Sequence, residues 1–203
     1  GVETIVNHPS LAPQVRVARL KPQEPAREIA QYCLAYVLRG TRNMDYHEKA
    51  QSRAAWDPIA PHRPQEVTVG VLGLSHIGGL TAELMRDMGF NTMGWSRSQK
   101  DIEGVTCLTG DHGLNSLLSS CDYLCAILPA TEATRDLLNA ERLALMKEGA
   151  TVINAGRGSL IDETALASAL DQRRPGHAVL DVLRTEPLPS DNPLWRHPHV
   201  TIT

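Results

Sequence analysis

No apolar run in this 203-residue sequence approaches the roughly 20 residues that a bilayer span requires, and the N-terminus lacks the charged-then-apolar pattern of a secretory leader. A membrane-spanning or exported protein is therefore not expected, and a cytoplasmic one is. Charge of one sign is also lacking. Twenty Lys and Arg against 23 Asp and Glu leave a formal net charge of −3, with no general attraction for nucleic acid or an anionic membrane. The expected partner is a small molecule. The cysteines Cys33, Cys107, Cys121 and Cys125 include no Cys-x-x-Cys pair, and the last two fall in one apolar stretch. They are expected to be inert thiols in a reducing compartment. There is no internal repeat and no low-complexity segment.

What is present suits one domain plus a piece of another. Because the sequence begins at Gly1 without a methionine and ends on the strand-like Val200, Thr201, Ile202 and Thr203, it is expected to be part of a longer chain. Residues 1–20, with Pro9 and Pro13, suit the tail of a preceding unit. From Glu24 to about Gln51, Ile29, Cys33, Tyr36 and Val37 recur at helical spacing and predict one long amphipathic helix. Pro58, Pro61 and Pro64 then exclude a helix over 56–64 and predict a linker. Residues 21–64 are thus a linking helix and linker, and residues 65–203 the main domain.

That main domain changes character. Short apolar runs at 67–72, 91–95, 123–128, 151–153, 178–182 and 200–202 alternate with helical stretches at 78–88, 114–119, 140–146 and 162–171. Strands apolar on both faces and separated by helices predict an α/β fold, a doubly wound parallel sheet of the Rossmann type.

The first of these strands ends in Gly73, Leu74, Ser75, His76, Ile77 and Gly78, a glycine turn that opens a helix. Free N–H groups and the positive dipole end there suit a dinucleotide pyrophosphate. The second glycine of Gly-x-Gly-x-x-Gly is Ser75, whose Cβ and hydroxyl sit where the backbone should approach the phosphates. By itself the turn also fits a plain strand-to-helix corner. The next strand ends in Trp95, Ser96, Arg97 and Ser98. A carboxylate there would bond both ribose hydroxyls of NAD, whereas the Arg97 guanidinium suits a 2′-phosphate. NADP(H) is therefore expected over NAD(H), and the alternative for Arg97 is a solvated surface residue.

Three further segments carry more specific chemistry: residues 152–163, with Asn154, Ala155, Gly156, Arg157 and Gly158; Leu180, Asp181 and Val182 through Glu186 and Pro187; and Pro193, Leu194 and Trp195 through His197 and Pro198. With them the sequence resembles, from about Glu24 to Thr203, the D-isomer-specific 2-hydroxyacid dehydrogenases, and among these the glyoxylate/hydroxypyruvate reductase A type. The resemblance implies a hydride exchanged between NADP(H) and a small 2-keto acid. It implies that Arg157 grips the substrate carboxylate and polarises the keto oxygen, and that Glu186 pairs with a catalytic histidine and favours its protonated form. Asp181 and the backbone of Ala155 would orient the nicotinamide carboxamide, and Gly156 would belong to the cofactor site. Leu128, Pro129 and Thr134 would line the cofactor channel, and Gly1 and Val2 would belong to a substrate-binding loop of the other domain.

The family's histidine is expected two positions beyond Thr203. His197 and His199 precede the last strand and are expected to be loop residues, with no metal site in their spacing. Asp162 is expected to cap the helix that follows it. The resemblance also implies a homodimer, formed through the 24–51 helix and the Trp56 segment outside the Rossmann core. A non-catalytic nucleotide-sensing module on the same fold is the alternative, against which Arg157 and Glu186 together argue.

Overall fold

The structure is a computed structural model that describes residues 8–12, 14–17 and 23–203. Two helices, α1 (Gln23–Thr41) and α2 (Met44–Ser52), come first. They are followed by β1 (Thr68–Leu72), α3 (His76–Asp87), β2 (Asn91–Trp95), β3 (Thr106–Leu108), α4 (Gly110–Ser120), β4 (Tyr123–Ala126), α5 (Ala140–Ala144), β5 (Thr151–Asn154), α6 (Glu163–Asp171), β6 (His177–Leu180) and β7 (Val200–Ile202). The strands form one parallel sheet in the order β3-β2-β1-β4-β5-β6-β7. The expected doubly wound α/β sheet is the observed fold.

Successive strand residues point to opposite faces, and both faces are buried. On one, Leu124, Val152 and Ala178 pack with Leu114, Leu117, Leu166 and Leu170 of α4 and α6. On the other, Val69, Cys125, Ile153 and Val179 pack with Cys33 and Val37 of α1 and with Ala82 and Met85 of α3. The apolar face of α1 is thus covered by its own sheet, and the expectation that this helix lies outside the Rossmann core is corrected. All four cysteines are free, and burial pushes Cys121 up to about 12.

The expected single helix over 24–51 is two. Thr41 Oγ1 donates back to the Val37 carbonyl (2.9 Å), and Asn43 takes a left-handed φ of 54° while its Nδ2 donates to the Ala60 carbonyl (3.1 Å). Asparagine tolerates that conformation better than other non-glycine residues, so the helix breaks there and the proline-rich linker is pinned to the break. Strand β3, which the apolar runs did not indicate, is a three-residue edge strand. As expected, Asp162 caps α6, its Oδ1 accepting from Thr164 N (3.0 Å) and Ala165 N (3.1 Å).

Register sets the site. Pairing places Leu108, Trp95, Leu72, Ala126, Asn154, Leu180 and Ile202, the last residues of the seven strands, in one row. The chain winds outward from β1 to β3, then returns to β4 on the other side of β1. In such sheets the crevice for a ligand opens at this reversal, beyond the carboxyl ends of the strands.

Candidate functional site

The turn after β1 is built by two glycines. Gly73 has a φ of +109°, and a Cβ there would come within 2.9 Å of the Leu128 side chain and 3.1 Å of the Ile127 carbonyl oxygen. A Cβ on Gly78 would lie 1.6 Å from the carbonyl oxygen of Gly73, so α3 can start flush on the turn only because that side chain is absent. Ser75, the departure from the glycine pattern, is exposed with a φ of −80°. Its backbone needs no glycine, and its side chain makes no cap bond to α3. The N–H groups of Ile77 and Gly78 are left without a side-chain cap at the positive end of a 12-residue helix, the donor set that a pyrophosphate requires. His76 is exposed at the first position of that helix, and Ile77 is half-buried. The cradle fits a dinucleotide.

At the end of β2, Ser96 is buried and its hydroxyl donates to the Ser98 carbonyl (2.7 Å). That bond shapes the bend on which Arg97 and Ser98 are exposed. The Ser96 hydroxyl is engaged within the turn, while Arg97 makes no ion pair among the described residues. After β4 the chain is clipped by Thr134, whose Oγ1 donates to the Pro129 carbonyl (2.6 Å) and accepts from Thr131 N (2.8 Å). Leu128 and Pro129, both half-buried, lie between this clip and the Gly73 turn.

Asn154, buried at the end of β5, belongs to the 152–163 segment but has no role assigned from the sequence. Its Nδ2 donates to the Arg157 carbonyl (3.1 Å) and its Oδ1 accepts from Gly156 N (3.2 Å). The loop that carries Ala155, Gly156 and Arg157 is therefore folded around one buried amide. A polar residue closing an otherwise apolar strand at the ligand edge is the signal that could have found it. Ala155 N donates to the Ala126 carbonyl (3.2 Å), and a Cβ on Gly156 would meet the Ala126 and Leu128 carbonyls at 3.0 and 2.9 Å. Arg157, half-buried, donates from Nη1 to the Gly156 carbonyl (2.6 Å).

The loop after β6 is pressed against this one. A Cβ on Gly158 would fall 1.9 Å from the Leu183 carbonyl carbon. Glu186, exposed, accepts on Oε1 from Leu183 N (2.9 Å). Arg184 ties three loops together, pairing with Asp136, donating to the Ile161 carbonyl (2.8 Å) and, from its backbone N–H, to Glu163 (2.7 Å). Arg157 and Glu186 thus stand on touching loops at the sheet edge that carries the glycine turn. Asp181 is there too, its Oδ1 accepting from Thr203 Oγ1 (3.5 Å), which lies 2.7 Å from the Tyr32 hydroxyl of α1. Burial, and then the Asp181 charge, raise the Tyr32 phenol well above its ordinary range.

Other expected residues lie elsewhere. Gly1 and Val2 fall outside the described residues. His197 and His199 precede β7 at the opposite edge of the sheet, with His197 Nε2 3.5 Å from an Asp171 oxygen. They are loop residues, as expected. No group of three potential metal ligands occurs among the described residues, and among them no helix is long and apolar enough to cross a membrane.

Residues 34–203 match the family described as D-isomer specific 2-hydroxyacid dehydrogenase, NAD binding domain. The whole chain is 38% identical to glyoxylate/hydroxypyruvate reductase A of Serratia proteamaculans (strain 568), and spans 66% of that relative's length. It superimposes over its full length on a D-isomer specific 2-hydroxyacid dehydrogenase from Xanthobacter autotrophicus Py2 in complex with NADPH and MES, with a TM-score of 0.94, 39% identity and 84% of that chain covered. It also superimposes over its full length on the NADPH-dependent glyoxylate/hydroxypyruvate reductase of Sinorhizobium meliloti in complex with NADP and sulfate, with a TM-score of 0.93, 31% identity and 65% of that chain covered. By this match over most of its length, the chain belongs to the D-isomer specific 2-hydroxyacid dehydrogenase family.

Proposed function

We propose that this chain is the dinucleotide-binding part of an NADP(H)-dependent cytoplasmic reductase of small 2-keto acids, glyoxylate and hydroxypyruvate among them. The observation that carries the proposal is the convergence of the Gly73–Gly78 cradle, Arg97, Arg157 and Glu186 on one row of strand ends. The NADP and NADPH bound by the Sinorhizobium and Xanthobacter relatives support the choice of cofactor. In the intact enzyme residues 1–20 belong to the substrate domain, with Gly1 and Val2 in its carboxylate-binding loop, and residues 21–64 link it to the Rossmann domain at 65–203.

The nicotinamide, when bound, supplies the hydride. The chain's own residues bind and orient. The α3 N–H groups hold the pyrophosphate, and Arg97 pairs with the 2′-phosphate. Asp181 and the Ala155 backbone fix the carboxamide, with the Leu128, Pro129 and Thr134 stretch closing the channel wall. Arg157 grips the substrate carboxylate with a planar fork and draws charge onto the keto oxygen. Glu186 holds the proton on the imidazolium that the family resemblance places beyond Thr203. The test is consumption of NADPH by the intact enzyme on addition of glyoxylate or hydroxypyruvate. Tight NADPH binding with no turnover of any small 2-keto acid would make it a nucleotide-sensing module instead.

We also propose a homodimer. Since α1 is covered within the chain, the contact falls on α2 and the linker, where Trp56 is 95% exposed beside a hollow of about 510 Å³ lined by Ala50, Ala54 and Ala55. Light scattering should give twice the monomer mass for the intact enzyme and the monomer mass for Trp56→Glu. A monomeric wild type would refute the proposal.

A further inference from the structure

At the edge of the sheet opposite the glycine turn, where β4 to β7 begin, the surface carries an open polar cavity of about 290 Å³, its cations Lys49 and Arg173 exposed. Arg39, Asp45, Lys49, His177 and His199 line both this cavity and a neighbouring hollow of about 450 Å³. These walls come from α1, α2 and β6 and from the loop before β7, and Arg173 joins them from the turn after α6. Three permanent cations therefore face one space with a single carboxylate, Asp45, among its lining residues.

Arg39 is partly neutralised by Asp45 and by Glu48 on the rim (3.1 Å). Among the described residues, Lys49 and Arg173 pair with no carboxylate. Arg173 Nη1 instead lies 3.3 Å from His199 Nε2, an arrangement that suits a neutral imidazole. Burial holds His177 below the usual histidine range; Asp45 opposes this, while His199, Arg39 and Lys49 add to it. Burial also lowers His199, aided by Arg173, His197 and Lys49 and opposed by Asp171.

The cavity floor offers a neutral donor. Tyr123 lies over Gly40, where a Cβ would come within 2.2 Å of the phenol oxygen, and among the described residues nothing hydrogen-bonds that hydroxyl. Burial, then the Asp122 charge, push it up to about 12, so it keeps its proton. Two cations without carboxylate partners and an unused O–H donor around one cavity form a donor set that Asp45 and the His199 imidazole satisfy only in part.

We propose that this cavity binds a small, multiply charged anion bearing phosphate or carboxylate groups, gripped by Lys49 and Arg173 with Tyr123 donating a hydrogen bond. The site is independent of the dinucleotide. Helix α1 separates the two, with Tyr32 meeting Thr203 at the cofactor edge and Arg39 and Gly40 lining the cavity at the other. Both ligands are therefore held at once.

Calorimetric titration of the full-length protein with inorganic phosphate and, separately, with succinate tests this, at an ionic strength matched with chloride and with NADPH present to fill the pyrophosphate turn. At least one of the two should bind saturably, and the tighter names the ligand class. The double variant Lys49→Gln, Arg173→Gln should weaken binding about tenfold or more, the loss of two charge-assisted contacts, with unchanged affinity for NADPH. Should the double variant misfold, Lys49→Gln alone, on the exposed face of α2, should still lose binding several-fold. The proposal is overturned if neither anion binds saturably, if the folded variants bind as tightly as the wild type, or if NADPH abolishes the anion's heat, which would place the anion in the pyrophosphate turn.

Discussion

Gly78→Ala is expected to abolish dinucleotide binding and to lower stability, whereas Gly79→Ala, one residue on, should do neither. The added Cβ at position 78 would stand 1.6 Å from the Gly73 carbonyl oxygen and 2.8 Å from its carbon. Both are backbone atoms of a turn already held at a φ of +109° and packed on Leu128, so neither can yield cheaply. Helix α3 must lift off the turn, which moves its N-terminal N–H groups away from the pyrophosphate. Overpacking of this kind costs about 1–3 kcal/mol or more, or roughly 2–4 °C of Tm per kcal/mol in a protein of this size. At Gly79 an added Cβ meets only the Ile102 side chain at 3.9 Å, and removing a helical glycine should stabilise by about 0.4–1 kcal/mol. Thermal melts with and without NADPH distinguish the two. A Gly78→Ala protein with wild-type Tm and NADPH affinity would mean that α3 does not start flush on the turn.

In the intact enzyme, Arg157→Lys and Glu186→Gln should fail in different ways. Lysine keeps the charge at 157 but loses the fork, so substrate affinity and hydride transfer should both suffer. The expected drop in kcat/KM is about a hundredfold or more, the range for losing one preorganised donor to a developing oxyanion. The pH profile should keep its shape. Glu186→Gln removes the carboxylate that stabilises the imidazolium, so the histidine should lose its proton at lower pH and the alkaline limb of keto-acid reduction should move down, with a modest change in KM. An unmoved limb would show that Glu186, which accepts from Leu183 N, is a loop-shaping residue.

Much of this architecture is legible in the residues because parallel strands buried on both faces must be short and apolar throughout, and helices must separate them. The runs at 69–72, 124–126 and 178–180 carry that pattern without ambiguity. Strand β3 does not, since an edge strand of three residues needs no apolar run. The break between α1 and α2 was hidden as well. Helical spacing continues through it, and what ends α1 is a hydrogen bond from Asn43 to Ala60, seventeen residues away. Helix α4 begins at Gly110, ahead of its first large apolar residue, Leu114, so periodicity detects it a turn late.

The candidate site divides along similar lines. Gly73 and Gly78 are readable because a tight turn and a helix started flush on it demand glycine, and the exposed cation Arg97 is readable by its place at the end of β2. Ser75 departs from the motif, and its negative φ and exposure show only that its backbone needs no glycine there. The roles of Arg184 and Tyr32 are not legible because each acts through contacts made only after the loops meet, and Asn154, though within the 152–163 segment, shows its role only once the loop folds around it.

The central claim, that this fold reads a 2′-phosphorylated dinucleotide through Arg97, is tested most directly by fluorescence titration of the chain and its Arg97→Ala variant with NADPH and NADH in parallel. The wild type should bind NADPH more tightly than NADH. The variant should lose roughly ten- to a hundredfold for NADPH, the range for a hydrogen bond to a charged group, with little change for NADH. Equal losses for the two cofactors, or no binding of either by the folded wild type, would contradict the account.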